Sequence, residues 1–324
     1  MDERTLAAVE KADTDELIRI IDGHCTARAW DRLHALRLHC QAAVERGKQL
    51  WAVDEHIRYR LALEAPAEHA GPVVTEGRAR WTLGPLAEVA ASSHSWAELE
   101  PHLAPGPERA MVAHERIVRG EDLRGADFDR QTLELPAALE AWEPGYPAAV
   151  YHADRAEFPT PPSPTFAWVE TPGAAPSTAE PESIEALAAL TAVWVDQSSG
   201  RSEVREVHGT ALEAIGALGI HRVGVARVEP SSATAWMAWA AASGGAYGRR
   251  SGGATGRFAA WWAVAALAGV EWPPEPGELG EAVAELAWHL WTDGSPEGWR
   301  LQLAVEDPGH GLAWALSAID LPPG

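Results

Sequence analysis

The chain has 324 residues, a length typical of about two domains. Hydrophobic residues make up 46% and charged residues 23%, which excludes a wholly disordered or collagen-like chain. The formal charge of -21 argues against a general nucleic-acid-binding protein, because such proteins present a broad positive surface.

The N-terminus and the longest apolar run predict a cytoplasmic protein without a membrane partner. The N-terminus has neither the basic start nor the apolar core of a secretory signal. The apolar run from Phe258 to Val270 has thirteen residues, fewer than the roughly 20 that a membrane span needs, and predicts a buried helix. Cys25 and Cys40 are too few for a disulfide framework and are expected to be reduced. Two lysines among 26 basic residues and no asparagine are typical of a GC-rich bacterial genome.

Residues 1–140 predict an irregular α-helical domain. Asp13 and Glu16 resemble a capping box, and Ser95 with Glu98 matches the S-x-x-E form of that motif. Apolar residues at helical spacing predict a helix over 27–46. Further helices are predicted over 51–64, ending before Pro66, and over 107–118. We expect an irregular bundle rather than a HEAT-like stack, because the sequence has no fixed-period repeat.

Residues 141–183 are rich in proline and predict a partly ordered connector, since closely spaced prolines prevent a long helix and favour extended chain. Aromatic and aliphatic residues are interspersed among the prolines, so parts of this segment are expected to pack. Short strands are predicted near 148–153 and 165–170.

Residues 184–324 mix strand-like and helix-like patterns and predict an α+β domain with a small mixed or antiparallel sheet. The clearest strand is 299–305, where apolar and polar residues alternate strictly. A hairpin is predicted from a strand at Thr191–Asp196, a turn at Ser198–Gly200 and a strand at Glu203–Val207. A third strand is expected over His221–Val228, and helices over 210–218, 231–242, 255–269 and 277–291.

The most unusual segment is a glycine- and arginine-rich loop at 243–257. No Asp or Glu occurs from Pro230 through Val270, so this window carries three positive charges in an acidic chain. Glycine lets backbone N–H groups approach a ligand, a helix N-terminus favours an anion, and arginine recognises phosphate or carboxylate. The predicted ligand-binding residues are Gly244, Gly245, Gly248, Arg249, Arg250, Gly252, Gly253, Gly256 and Arg257.

Of the three arginines, Arg257 is the strongest candidate for binding the anion, because it lies at the start of the following helix and packing can hold its side chain. The alternative is a surface loop whose arginines pair with the protein's own carboxylates. The loop matches neither the phosphate-binding P-loop, since no lysine follows the glycines, nor the dinucleotide motif G-x-G-x-x-G.

Tryptophan is abundant, with 16 residues in the chain. Pairs three residues apart, Trp236 with Trp239 and Trp288 with Trp291, share a face if they lie on helices, which predicts core packing rather than a ligand platform. We expect most of six tryptophans to be largely buried: Trp236, Trp239, Trp261, Trp262, Trp288 and Trp291.

Several catalytic and metal-binding motifs are missing from the sequence. His24–Cys25 and His39–Cys40 lack zinc-ligand spacing, and His114–Glu115 lacks the second histidine of H-E-x-x-H, so no metal site is predicted. Ser198–Ser199–Gly200 is not a G-x-S-x-G motif. No residue pattern identifies a cofactor or a complete catalytic set.

Three functional hypotheses follow. The first is a cytoplasmic binding or scaffold protein that holds a small anionic ligand or a protein partner at the loop. The second is an enzyme for a phosphorylated or carboxylated substrate, with an acid or a histidine beside the loop, such as His208, His221 or His289, transferring a proton. The third is an acidic immunity or inhibitor protein for a basic partner, since negative charge speeds such an association.

Overall fold

The computed structural model describes residues 2–75, 80–173 and 181–321 and the backbone of 177–178. Its fold is α+β, as predicted, and the chain divides into two compact units. Unit 1 comprises Met1–Arg116, Ala126–Thr132 and Ala149–Glu157, and unit 2 comprises Ile117–Gly125, Leu133–Ala148 and Phe158–Gly324. The predicted connector is therefore divided between the two units. Within it, residues 174–176 and 179–180 lie outside the described residues, as do residues 322–324 at the end of the chain.

The N-terminal region is helical, as its apolar periodicity predicts. A two-stranded antiparallel sheet of β1 (Val150–Tyr151) and β2 (Ala156–Glu157) also belongs to unit 1. The helices are α1 Glu3–Lys11, α2 Thr14–Thr26, α3 Trp30–Glu45, α4 Trp51–Glu64, α5 Ala67–Thr75, α6 Leu86–Ser93, α7 Trp96–Leu99 and α8 Pro107–Val118.

Both predicted helix caps of this region are present. The Asp13 carboxylate accepts the Glu16 backbone N–H at 3.1 Å at the start of α2. Ser95 and Glu98 form a reciprocal capping box at α7, in which Glu98 accepts the Ser95 backbone N–H at 2.8 Å. Each cap satisfies backbone donors that have no partner within the helix, which explains why these helices begin where the sequence predicts.

Unit 2 contains a seven-stranded antiparallel sheet among the described residues, in the order β3-β6-β7-β8-β9-β5-β4. The strands are β3 Ala167–Glu170, β4 Ser177–Thr178, β5 Arg201–His208, β6 Arg222–Val228, β7 Ala287–Thr292, β8 Trp299–Asp307 and β9 Leu312–Asp320. The helices are α9 Pro181–Ala189, α10 Ala192–Gln197, α11 Ala211–Ala217, α12 Pro230–Ala242, α13 Gly253–Ala268 and α14 Pro276–Glu285. Among the described helices, none combines the length and apolarity that a membrane crossing requires.

Alternating strand residues form two apolar clusters on the two faces of the sheet. One face packs on α9, α12, α13 and α14, through strand residues such as Leu303, Val305 and Leu316. The other face packs on α11, through residues such as Val207 and Ala313. The predicted strand at 299–305 is confirmed, with Leu301, Leu303 and Val305 on the first face.

Two secondary-structure predictions in unit 2 are wrong. Thr191–Asp196 is not a strand, because Ala192–Gln197 forms α10, and β5 pairs with β9 and β4 instead of making a hairpin. A short run of apolar and β-branched residues fits a buried helix as well as a strand. Here, contacts with residues distant in sequence determine that the run is helical. Trp194 lies on the buried face of α10, and its indole N–H donates to Ser243 Oγ at a distance of 2.9 Å.

The predicted helix at 277–291 ends at Glu285, and Ala287–Thr292 forms β7 between β6 and β8. Trp288 and Trp291 therefore do not share a helix face. Strand residues three apart point to opposite sides, so Trp288 joins the cluster under the helices and Trp291 the cluster under α11.

Candidate functional site

The glycine-rich loop is shorter than predicted. It connects the end of α12 at Ala242 to the start of α13 at Gly253, so the residues from Gly253 to Arg257 form the first turns of a helix. Gly252 is the N-cap of α13 with a φ of +99°, a backbone conformation that favours glycine. The loop proper is residues 243–252.

Arg257 lies in an internal ion pair and not at an open surface. Its Nε and Nη2 atoms each donate to the Glu143 carboxylate at 2.7 Å, and its guanidinium also donates to the carbonyls of Pro136 and Ala138 at 3.0 Å. Both charged side chains have 0% exposure. The Tyr146 hydroxyl donates to the same carboxylate at 2.7 Å. Arg257 therefore pairs with a carboxylate of the protein itself, which is the alternative that we considered for the loop arginines.

Burial and ion pairing act on Glu143 in opposite directions. Burial raises its pKa, but the hydrogen bonds and the positive charge of Arg257 outweigh burial and hold the pKa below the usual value. Glu143 is ionised at neutral pH, so the guanidinium donors of Arg257 are already occupied by a charged acceptor.

The backbone N–H groups of the loop also contact protein acceptors. The N–H of Ala246 donates to Asp320 Oδ2 at 2.6 Å, that of Tyr247 to Ser198 Oγ at 3.1 Å, and that of Arg249 to Gln197 Oε1 at 3.4 Å. Asp320 has 0% exposure. The anion that the loop holds through Ala246 is thus the protein's own carboxylate.

The loop glycines allow close backbone packing. A Cβ atom on Gly244 would meet the backbone of Gly248, and one on Gly245 would overlap the Asp320 carboxylate. Gly245 also has a φ of +68°. Gly256 lies inside α13 against the Ala238 carbonyl of α12, so its role is helix packing. These contacts explain the glycine content of the segment without a bound ligand.

Arg249 and Arg250 have different surroundings. The Arg250 guanidinium lies 4.7 Å from the centre of the Phe158 ring, within cation–π distance. Arg249 is exposed, and its side chain forms no hydrogen bond or ion pair with a described residue. Arg249 is therefore the predicted loop arginine that stays accessible.

A cavity of about 620 Å³ lies beside the loop. It is lined by Gln197, Ser198, Ser199, Arg201, Tyr247, Ile319 and Leu321. Three segments distant in sequence form it: the end of α10 with the following turn, the loop, and the end of β9. The antiparallel register places Arg201 of β5 opposite Ile319 of β9, which brings the first and third segments together.

The lining residues combine one cation, several neutral polar groups and apolar side chains. Arg201 is exposed and forms no side-chain hydrogen bond or ion pair with any described residue. Tyr247 is 56% exposed. The Ser199 hydroxyl lies 3.2 Å from Asp320 Oδ1 and 3.0 Å from the Leu321 carbonyl. No carboxylate is among the lining residues that the structure describes, so the cavity presents a single positive charge.

A second cavity, of about 590 Å³, lies in unit 1. Its lining includes one arginine, Arg28, together with two histidines and the three carboxylates Glu64, Glu68 and Glu98. Carboxylates outnumber the arginine among the described lining residues, so this cavity suits an anion less well than the first.

The sequence does not indicate the residues of the first cavity other than the loop itself. Arg201 carries no local motif, and only the pairing of β5 with β9 places it near Tyr247. The strand β9 is itself hard to predict, because its nearly continuous apolar sequence lacks the alternation of a half-buried strand. Without that strand, no pattern connects Arg201 with Ile319 and Leu321.

A model described as a family of unknown function (DUF6183) matches residues 15–321. The chain belongs to this family. The match extends over residues of both units and includes every lining residue of the first cavity. No curated protein and no solved structure matches the chain.

The three histidines considered for proton transfer do not line the cavity beside the loop. His208 ends β5, His221 precedes β6, and His289 lies in β7, where burial lowers its pKa. No group of three or more potential metal ligands occurs within the described part of the chain. Burial raises the pKa of Cys25 to about 11 and that of Cys40 to about 12, so both thiols are protonated at neutral pH.

The prediction for the burial of the tryptophans is confirmed. Trp239, Trp261, Trp288 and Trp291 are buried, and Trp236 and Trp262 are half-buried. The rings of Trp236 and Trp239 lie 5.3 Å apart in an edge arrangement on α12. These side chains form core packing, and none lines the cavity beside the loop.

Proposed function

We propose that this protein binds a small anionic ligand in the cavity formed by residues 197–201, Tyr247 and residues 319–321. One observation carries the proposal: Arg201 lines a concave site beside the loop, and no described carboxylate pairs with it. A guanidinium with open donors recognises carboxylate or phosphate. The volume of about 620 Å³ lies in the range of small-molecule sites.

This proposal transfers the anion-binding role from Arg257 to Arg201. The glycine-rich loop contributes Tyr247 to the site. Arg249 lies next to the site, since its backbone N–H donates to the side chain of Gln197, a lining residue. The internal contacts of the other loop donors hold the loop in place. The loop thus contributes Tyr247 to the cavity wall, and the cation comes from β5.

The proposal keeps the first sequence hypothesis, a cytoplasmic binding protein, in a more specific form. The enzyme hypothesis requires an acid or a histidine beside the loop. None of the three histidines is a described lining residue, and Asp320, an acid that contacts the loop, has 0% exposure and accepts the Ala246 N–H. The hypothesis of an acidic inhibitor stays a prediction from net charge alone.

The test is ligand-observed NMR with a set of small carboxylates and phosphates, applied to the wild type and to R201Q. Losing the charge-assisted hydrogen bonds of one arginine weakens binding by about 10- to 100-fold. R205Q is the matched control, because Arg205 lies on the same strand, pairs with Glu203 and does not line the cavity. Binding that is equally strong in the wild type and R201Q would contradict the proposal.

A further inference from the structure

Charged groups of both signs lie at or close to the cavity. Asp320 lies between Ile319 and Leu321, two lining residues, and Ser199, another lining residue, lies 3.2 Å from its carboxylate. Asp320 has 0% exposure, and no described cation pairs with it. The site therefore has one positive charge at the cavity surface and one negative charge behind its wall.

The donors that a phosphate dianion needs are engaged elsewhere. Phosphate sites in proteins use several cations, backbone N–H groups and helix N-termini together. Here Glu143 occupies Arg257 at the start of α13, and the N–H groups of Ala246 and Tyr247 donate to protein acceptors. The cost of removing an ion from water rises steeply with its charge, and Arg201 offsets that cost for one negative charge.

The rest of the lining suits an apolar ligand body. Ile319, Leu321 and the Tyr247 ring supply apolar surface, while Gln197 and Ser198 supply neutral hydrogen-bonding groups. Tyr247 and Leu321 are both solvent-exposed in the structure, with exposed fractions of 56% and 37%. A ligand that covers them removes apolar area from water, which favours binding.

From this arrangement, and resting on the proposed function, we infer that the ligand is a monoanion, such as a carboxylate, with an apolar body. Its charged group pairs with Arg201, and its body lies against Ile319, Leu321 and Tyr247. Dianions such as phosphate monoesters are rejected, because Asp320 adds repulsion and no second cation lines the described wall.

Isothermal titration calorimetry of the wild type at pH 8 with three probes tests the inference. The probes are benzoate, the monoanion methyl phenyl phosphate and the dianion phenyl phosphate. We expect benzoate and the diester to bind, and phenyl phosphate to bind about tenfold more weakly or not at all. Phenyl phosphate binding as tightly as the two monoanions would overturn the inference but leave the proposed function standing. No binding of any probe would overturn both.

A D320N variant tests whether the negative charge of Asp320 disfavours the binding of dianions. The amide keeps a hydrogen-bond acceptor for Ala246 and removes the negative charge. We expect the ratio of phenyl phosphate to benzoate affinity to rise by about tenfold. An unchanged ratio in a variant with the wild-type melting temperature would show that Asp320 does not set the charge preference. If the variant does not fold, the three probes on the wild type still decide the inference.

Discussion

Arg257 and Glu143 show how a residue with the features of a binding site can serve stability instead. Sequence identifies the arginine, its position at a helix start and the glycines around it, but not the partner 114 residues earlier in the chain. Breaking a buried ion pair leaves an uncompensated charge, and this makes the pair a sensitive test of the structure.

E143Q should destabilise the protein by about 3–5 kcal/mol at pH 7. Because the pKa of Glu143 is lowered in the folded state, its contribution is complete above its ordinary pKa of 4.5 and is lost as pH falls through the lower folded value. The difference in unfolding free energy between the wild type and E143Q should therefore shrink below about pH 4. Urea unfolding between pH 3 and 7 measures it.

E281Q is the control for that series, because Glu281 is exposed on α14 and forms no ion pair with any described residue. It should change stability little at any pH in the range. A loss in E143Q as small as that in E281Q would mean that the buried pair does not form.

Gly245 is the loop residue at which the absence of a side chain matters most. G245A forces an alanine into a φ of +68° and places its Cβ against the Asp320 carboxylate. Left-handed backbone costs about 1–2 kcal/mol in a residue other than glycine. The overlap with Asp320 adds to that cost, so the loop and the neighbouring cavity wall should shift.

G219A measures the cost of the left-handed backbone without the overlap, because Gly219 has a φ of +79° and a Cβ added there would have no described neighbour within 4 Å. Thermal melting should show a larger loss for G245A than for G219A. Equal losses would indicate that the contact between the loop and Asp320 contributes nothing.

At the scale of elements, the predicted helices and strands are correct where a periodic pattern is long or a cap marks the end. The helices that follow Asp13 and Ser95 begin at the predicted caps, the helix over 51–64 ends before Pro66 as expected, and the strand over 299–305 has an alternating pattern. The errors at 191–196 and 287–291 fall in short apolar runs, where periodicity does not separate helix from strand. In β7, neighbouring strands on both sides fix the extended backbone, and no local residue signals them.

The strand assignment of β7 leads to a prediction about its two tryptophans. Trp288 and Trp291 are buried in different clusters on opposite faces of the sheet. W288A and W291A should each cost about 3–5 kcal/mol. Because they contact separate clusters, their effects should be nearly additive in the double variant. Guanidinium unfolding measures all three variants.

W168A is the matched control on edge strand β3, because Trp168 is 49% exposed. Its cost should be well below that of either buried tryptophan. Strong non-additivity of W288A and W291A would argue that the two side chains share one cluster, as they would on a helix.

For the whole molecule, sequence predicts the α+β class, the helical N-terminal region and the unusual loop, but not the site that we propose. Composition and periodicity report on local structure, whereas the cavity depends on a strand pairing that brings Arg201 opposite Ile319. The glycines mark the loop in the sequence, and their role emerges only from the backbone contacts and from Asp320. The missing information is thus the long-range register of the sheet.

We propose that the ligand binds in the cavity at Arg201 and not at the start of α13. Backbone amide NMR spectra of the protein titrated with benzoate test this location directly. We expect saturable shifts that are concentrated at residues 197–201, at Tyr247 and at residues 319–321 and that are absent in R201Q. Shifts centred on Arg257 and the first turn of α13, or no saturable shift at millimolar benzoate, would contradict the proposal.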